Sequence, residues 1–279
     1  NKHFGGRTEL IDPVDIGELV RTLNVSPAGL PVVAGLWHQD GATARHDAVA
    51  WGYAKGATQR GVELHQLTEV TGIEVEAGRV TGVQTNRGRV SAGCVVQAVA
   101  GHSAELAQLA GFQIPIVAYP LQAMVTQPVK PFLNPLVSSS ALHCYVQQTS
   151  RGEIVFGGGS DPYPLYGTRS TLELKESLMA SAVEMFPFMS EMRLMRQWAG
   201  ITDMTSDYSP IMGRSPIENY YVDAGWGTWG FKATPISGVT MAQLIASGGK
   251  VPELIAPFSL DRFDAFRQVN EMGATAASH

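Results

Sequence analysis

Cys94 and Cys144 are the only cysteines in 279 residues. That is too few for the disulfide framework that staples small secreted domains, and a reducing compartment, the cytoplasm, is expected. Charge is scarce as well: Asp, Glu, Lys and Arg together make up 16% of the chain, against the ~25% usual for globular proteins. A surface this sparsely charged points to partial cover by a cofactor or another chain. The 20 basic and 25 acidic side chains leave a net charge of −5, and no basic run occurs, so nucleic acid is not an expected partner. No apolar stretch approaches the ~20 residues a membrane helix requires, and Asn1-Lys2-His3-Phe4 opens no signal peptide. What is present is a globular composition, 44% apolar with a mean hydropathy of +0.01. The length suits one large domain or two modest ones.

Hydrophobic periodicity divides the chain into three parts. Residues 9–23 contain a short segment with Pro13 at a helix start, and 36–40 form a brief apolar piece ending in the turn Asp40-Gly41. Val49, Ala50, Tyr53, Ala54 and Ala57 have helical spacing between His46 and Gly61. Strands are expected at 70–75, 80–85 and 90–99, the last almost continuously apolar. A helix over 103–110 follows, with Ser103 as its cap. The middle is sheet-rich, with strands at 118–127, 142–148 and 154–156 and an amphipathic helix over 172–186. The end returns to a short strand at 220–223, a glycine loop over 225–235 and a helix over 237–246. An α/β domain interrupted by a mixed-sheet insertion accounts for this order.

Gly225-Trp226-Gly227-Thr228-Trp229-Gly230 matches GxGxxG between a strand and a helix. A dinucleotide fingerprint would need a second strand to complete the βαβ unit. Instead Gly248-Gly249-Lys250 and Pro252 follow the helix, and Glu253, the acid near the required spacing, comes directly after that proline. An NAD dehydrogenase is therefore disfavoured. The loop retains the physics of a flat-ligand cradle: glycines allow close backbone approach, and helix amides offer partial positive charge beside Lys232. Such an end would stabilise the charge a flavin gains on reduction. On the loop alone, an ordinary strand-to-helix turn explains these residues as well. His46 stands at a helix start beside Arg45 and Asp47, where a capping or surface histidine is the plain reading. No His, Cys or carboxylate lies at metal-ligand spacing, so no metal is expected. His143 beside Cys144 has no identifiable third partner for a thiol nucleophile, and no nucleophile elbow or Walker loop occurs.

Several of these segments together resemble a known family. Gly41-Ala42-Thr43-Ala44-Arg45-His46-Asp47, Tyr145-Val146-Gln147 with Gly157-Gly158, Arg196-Gln197-Trp198-Ala199-Gly200, and the run from Gly225 to Pro235 are similar to the β subunits of bacterial heterotetrameric sarcosine oxidases. Those are FAD-dependent amine oxidases of the D-amino-acid oxidase type. The likeness runs nearly end to end, to Gly273-Ala274.

The resemblance implies an FAD-binding α/β domain with an inserted mixed-sheet α+β substrate domain, divided at 1–111, 112–200 and 201–279. It implies oxidative demethylation of sarcosine to glycine and formaldehyde, with hydrogen peroxide made from molecular oxygen. Noncovalent FAD is implied, with Val70, Ala100, Gly101, Gly227 and Gly230 along it, and covalent FMN on His46. Lys232 would pair with the substrate carboxylate, and Tyr145 would stand over the flavin face. Arg196 would hold the FMN phosphate or line the pocket. Partner α, γ and δ subunits are implied. So is an opening strand, GxGxxG and helix for the FAD pyrophosphate, with an arginine sharing the substrate carboxylate, all preceding Asn1. Other readings are an oxidase of dimethylglycine, glycine or proline, in most of which no flavin sits at the Arg45-His46-Asp47 position, and a noncatalytic scaffold subunit.

Overall fold

The computed structural model describes residues 3, 5–26 and 30–269; Gly273-Ala274 lies outside them. The chain opens with strand β1 (Thr8–Ile11), helix α1 (Pro13–Leu19) and β2 (Gly35–His38), which pairs antiparallel with β1. Asp12 caps α1, its carboxylate accepting the amides of Val14 and Asp15 at 2.9 Å, and Pro13 occupies the first helical position. Helix α2 (His46–Thr58) forms where the spacing predicts, yet buries none of its residues: Val49, Trp51 and Tyr53 all face outward.

β3 (Val70–Glu76), β4 (Arg79–Thr85) and β5 (Gly88–Ser91) make an antiparallel meander. The apolar run 90–99 is two strands rather than one. It breaks at Ala92-Gly93-Cys94, and β6 (Val95–Gln97) leaves the meander to pair in parallel with β13 (Tyr220–Ala224). Asn219 fastens the crossing, its side-chain amide donating to the Gly93 carbonyl at 3.0 Å. A 3₁₀ turn (Ala100–His102) leads into α3 (Ser103–Leu109). Ser103 is the first helical residue and not the cap. His102 holds the cap position, and the Ser103 hydroxyl is buried without a partner among the described residues.

The central sheet runs β11-β7-β10-β9-β8, built from β7 (Ile116–Pro128), β8 (Val137–Ser139), β9 (Cys144–Gln148), β10 (Glu153–Ser160) and β11 (Leu194–Thr205). Period-2 patterning gives it two distinct faces. One carries Met124, Val146 and Phe156, which are buried with Leu178, Ala182, Met185 and Phe186 from α4 (Leu172–Met185) and its end. The other face is half-open.

β12 (Ile211–Arg214) completes a three-stranded sheet, β12-β13-β6. Tyr220, Val222 and Ala224 of β13 pack with Ala107 of α3, while Tyr221 packs the other way with Met241 and Leu244 of α5 (Gly230–Ala246). Cover on both faces is what a parallel pair requires. Helix α5 starts seven residues earlier than the sequence suggests. The glycines and Pro235 read as loop, but Pro235 lies inside the first two turns, where its missing N–H removes a single helical hydrogen bond. The amino end of α5 is therefore at Gly230, Phe231 and Lys232, not at Ser237. No helix of the described residues is long and apolar enough to cross a membrane, and Cys94 and Cys144 are both free.

Candidate active site

Strand β11 organises the candidate residues. Registers across the central sheet line up Tyr145, Gly157, Ala123 and Trp198 in one row, and Gln147, Val155, Val125 and Arg196 in the next row on the same face, two residues along the strands. Laterally paired residues share a face, so Tyr145 and Arg196 both lie on the half-open side, opposite the α4 core, with β7 and β10 between them. Gly157 is required there, because a Cβ at that position would lie 2.6 Å from the Gln122 carbonyl and 3.1 Å from the Tyr145 hydroxyl. Burial, with the neighbouring Cys144 adding to it, pushes the Tyr145 hydroxyl pKa up, so at neutral pH it is a proton-bearing donor. Burial pushes the Cys144 thiol up to about 12, which removes it as a nucleophile at neutral pH.

The other end of β11 meets the glycine loop. A Cβ on Gly225 would stand 2.7 Å from Thr205 Cγ2, and one on Gly227 2.8 Å from Met204 Sδ. Both glycines have positive φ, +76° and +54°, which side chains disfavour. Beneath the loop lies Asp203, 3% exposed. Its carboxylate accepts the Gly225 amide at 2.6 Å and the Gly227 amide at 3.0 Å. Burial raises the Asp203 carboxyl pKa, and the amides of Gly225, Trp226 and Gly227 oppose that rise without cancelling it. A second carboxylate, Asp223, accepts the Trp226 indole N–H at 2.6 Å and the Ser237 hydroxyl. The Gly225 and Gly227 amides are thus turned inward. The amides left for a ligand are those of the first turn of α5, which have no intrahelical partner. Beside them the Thr228 hydroxyl and the Trp229 indole N–H are buried and unpartnered among the described residues. Lys232 is exposed on that same turn.

The remaining candidates are dispersed. Gly101 is buried, and a Cβ there would collide with Ile201 of β11, so its glycine serves strand packing. Ala100 is exposed with φ +46°, an uncommon conformation for alanine. Val70 opens β3, half-buried and paired with Thr85. His46 is the first residue of α2 and fully on the surface, where the Arg45 guanidinium pairs with Asp47 at 2.9 Å. The structure therefore seats Gly101 and Gly227 on the carboxyl half of β11, with Gly230 and Lys232 following on the first turn of α5. It puts Tyr145 and Arg196 on the sheet face beyond and leaves His46 and Val70 on other elements. No group of His, Cys, Asp and Glu among the described residues is arranged to hold a metal ion.

Sequence reasoning missed Asp203, whose single acid in a long strand looks like any solvent-facing residue. It also missed a buried polar cluster in which Gln122 donates to Asp161 at 2.7 Å and Thr171 donates to Asp161 at 2.6 Å.

Comparison with known proteins defines the family. The model for FAD dependent oxidoreductases (DAO) matches residues 1–244. The chain is 43% identical over 272 residues to sarcosine oxidase subunit beta of Rhodobacter capsulatus, covering 98% of this chain and 65% of that protein. To the subunit of the same name from an Arthrobacter species it is 42% identical, covering 100% and 69%. This chain thus spans about two thirds of the length of these relatives. Among solved structures, L-proline dehydrogenase from P. horikoshii superposes with a TM-score of 0.85 at 31% identity, over 95% of this chain and 71% of that one. Glycine oxidase from Geobacillus kaustophilus has the same fold, with a TM-score of 0.81 at 22% identity over 94% and 68%. The sheet of the inserted part, expected to be mixed, is antiparallel at every strand pair; the expected α/β fold of the D-amino-acid oxidase type is the fold observed, and the chain belongs to the FAD dependent oxidoreductase family.

Proposed function

We propose that this chain is part of the β subunit of a sarcosine oxidase, working with α, γ and δ subunits, and that it takes part in the oxidative demethylation of sarcosine. The net reaction consumes sarcosine, water and molecular oxygen and yields glycine, formaldehyde and hydrogen peroxide. One observation carries the reading: the amino end of α5, with two polar atoms beside it that have no partner among the described residues, stands at the end of the strand whose far half presents Arg196 on the same sheet face as Tyr145. The whole is a ligand floor flanked by a helix terminus. In this reading 1–111 and 201–279 belong to the FAD-binding domain, and 112–200 to the substrate domain.

The residues fit a flavin. The Thr228 hydroxyl and Trp229 indole N–H lack partners among the described residues, and the glycines let the loop seat closely on β11, so that the first turn of α5 begins at its end. Gly227, Gly230, Ala100, Gly101 and Val70 would lie along FAD, and His46 would carry FMN. Bound FAD would supply the two-electron acceptor for the substrate C–H bond, and FMN the relay to oxygen. The chain itself binds and orients. Lys232 pairs with the substrate carboxylate, a charge-assisted contact that aims the N-methyl group. Tyr145 keeps its proton and offers a donor from the sheet face. The first-turn amides of α5 stabilise negative charge at the cofactor edge. Arg196 lines the same face. The exposed Val49, Trp51 and Tyr53 on α2 support a surface that a cofactor and a partner subunit cover.

The test begins with the natural protein purified together with its co-purifying subunits, denatured, and examined by intact mass and visible spectrum. A yellow chain heavier by one FMN, with the adduct on the peptide holding His46, is the expected result. A colourless chain at its bare mass overturns the covalent-flavin assignment. In the holoenzyme, Lys232→Met should weaken sarcosine binding roughly 10- to 150-fold, from the ~1.5–3 kcal/mol of a hydrogen bond to a charged group. This is read from the concentration dependence of flavin bleaching. Unchanged affinity would remove Lys232 from the carboxylate site.

A further inference from the structure

We propose that Asp203 is a positioning residue for the flavin: by holding the glycine loop from beneath, it aims the first turn of α5 at the cofactor. The proposal rests on the flavin reading above, and three observations lead to it. Asp203 is buried at the end of β11, and no cation is hydrogen-bonded to it among the described residues. Its two oxygens are engaged by Gly225 and Gly227, and the Gly227 amide also reaches the Asp203 carbonyl at 3.1 Å. A buried carboxylate is costly unless amides satisfy it, so Asp203 selects the one loop conformation that supplies them. That conformation carries φ +76° at Gly225 and +54° at Gly227, and it ends with the Trp229 amide donating to the Trp226 carbonyl at 2.9 Å, immediately before α5 begins.

Consequently the loop amides point away from the ligand side, and the helix amides at Gly230, Phe231 and Lys232 are what the ligand meets. Asp223 braces the same loop from its other end through Trp226 and Ser237. Asp203 touches neither cofactor nor substrate; it acts through the direction in which α5 starts. Losing it lets the loop relax and turns the positive end of the helix off the charge that reduction creates.

Asp203→Asn in the full holoenzyme tests this. The amide keeps the shape but replaces one acceptor oxygen with a donor facing a backbone N–H. Two readouts are taken beside activity. Hydrogen exchange of the peptide spanning 224–230 should quicken. The midpoint potential of the noncovalent flavin should fall by about 30 mV, the equivalent of a tenfold loss in the relative binding of the reduced form. Affinity for sarcosine should stay within about twofold. Faster exchange with an unmoved potential overturns the proposal, as does a loop whose exchange is unchanged. A parent protein that holds no flavin overturns the functional reading instead. If Asp203→Asn yields no folded protein, Gly227→Ala strains the same loop against Met204 without touching the carboxylate, and the same two readouts apply.

Discussion

Arg262→Ala should lower the free energy of unfolding by about 3–5 kcal/mol, the usual cost of leaving one partner of a buried ion pair behind. Arg262 is 2% exposed, and every N–H of its guanidinium is used. Nε donates to Asp207 at 2.8 Å; one terminal nitrogen donates to Asp207 and the Ser209 carbonyl at 2.9 and 2.8 Å; the other donates to the Phe258 and Ser259 carbonyls at 3.0 and 3.1 Å. The pair fastens the segment after α5 to the turn between β11 and β12, and the Val269 amide adds a further donor to Asp207 at 3.0 Å. Burial by itself would raise the Asp207 carboxyl pKa, but Arg262 and the Val269 and Ser209 amides outweigh it and hold the group below the usual 3.8. A depressed carboxyl contributes stability above the unfolded pKa and loses it as pH falls through the folded one. Wild-type stability from this pair should therefore hold from neutrality down to about pH 4 and fade below that. In Arg262→Ala the stranded Asp207 protonates more readily, so the deficit should be largest near pH 7 and shrink on acidification. Urea denaturation at several pH values reads both effects, and an equal deficit at all pH values would contradict this account. Arg262→Lys, a single point donor in place of the fork, should recover only part of the loss.

Phe186→Ala should cost a comparable 3–5 kcal/mol. The ring is fully buried where α4 ends, edge-on to Phe188 at 5.9 Å between centroids, and it packs in the cluster of Met124, Val146, Phe156 and Met185. Its amide closes the helix on the Ala182 carbonyl at 2.8 Å, so truncation opens a cavity while leaving that cap intact. Melting should drop by about 10 °C. The variant's surviving folded fraction should keep its affinity for sarcosine, because the cavity opens on the α4 side of the sheet, away from Tyr145 and Arg196. A scanning calorimeter and a binding titration separate the two.

These examples show which features a linear reading reaches. β7, α4 and β13 announce themselves through period and composition, because their partners impose simple alternation or a helical stripe. The split of residues 90–99 does not. A run apolar throughout satisfies one strand or two, and only the Asn219 contact and the change of sheet tell them apart. The start of α5 was hidden because Pro235 and three glycines outweigh propensity, while Ser237, bonded to Asp223, and Met241, packed with Tyr221, tie the helix to β13 and hold the turns before them. In the candidate site, the glycine loop and Lys232 stand out on physical grounds, but on the sequence alone an ordinary strand-to-helix turn explains them equally well. His46 is visible only by resemblance, since nothing about an exposed histidine at a helix start is distinctive. Asp203 and Arg262 act through residues 22 to 55 positions away, and no local pattern encodes such distances.

Strand β11 is bonded to β7 from Leu194 to Thr205 with a single irregularity near its start. Arg196 and Trp198 lie on its open side, and Asp203 reaches its glycine partners seven residues after Arg196. One residue inserted between 198 and 203 would rotate everything on one side of the insertion by half a turn. Either Arg196 would enter the α4 core or Asp203 would leave its loop. Natural variation in this stretch should therefore change length by two residues or by none, whatever happens to the identity of the side chains.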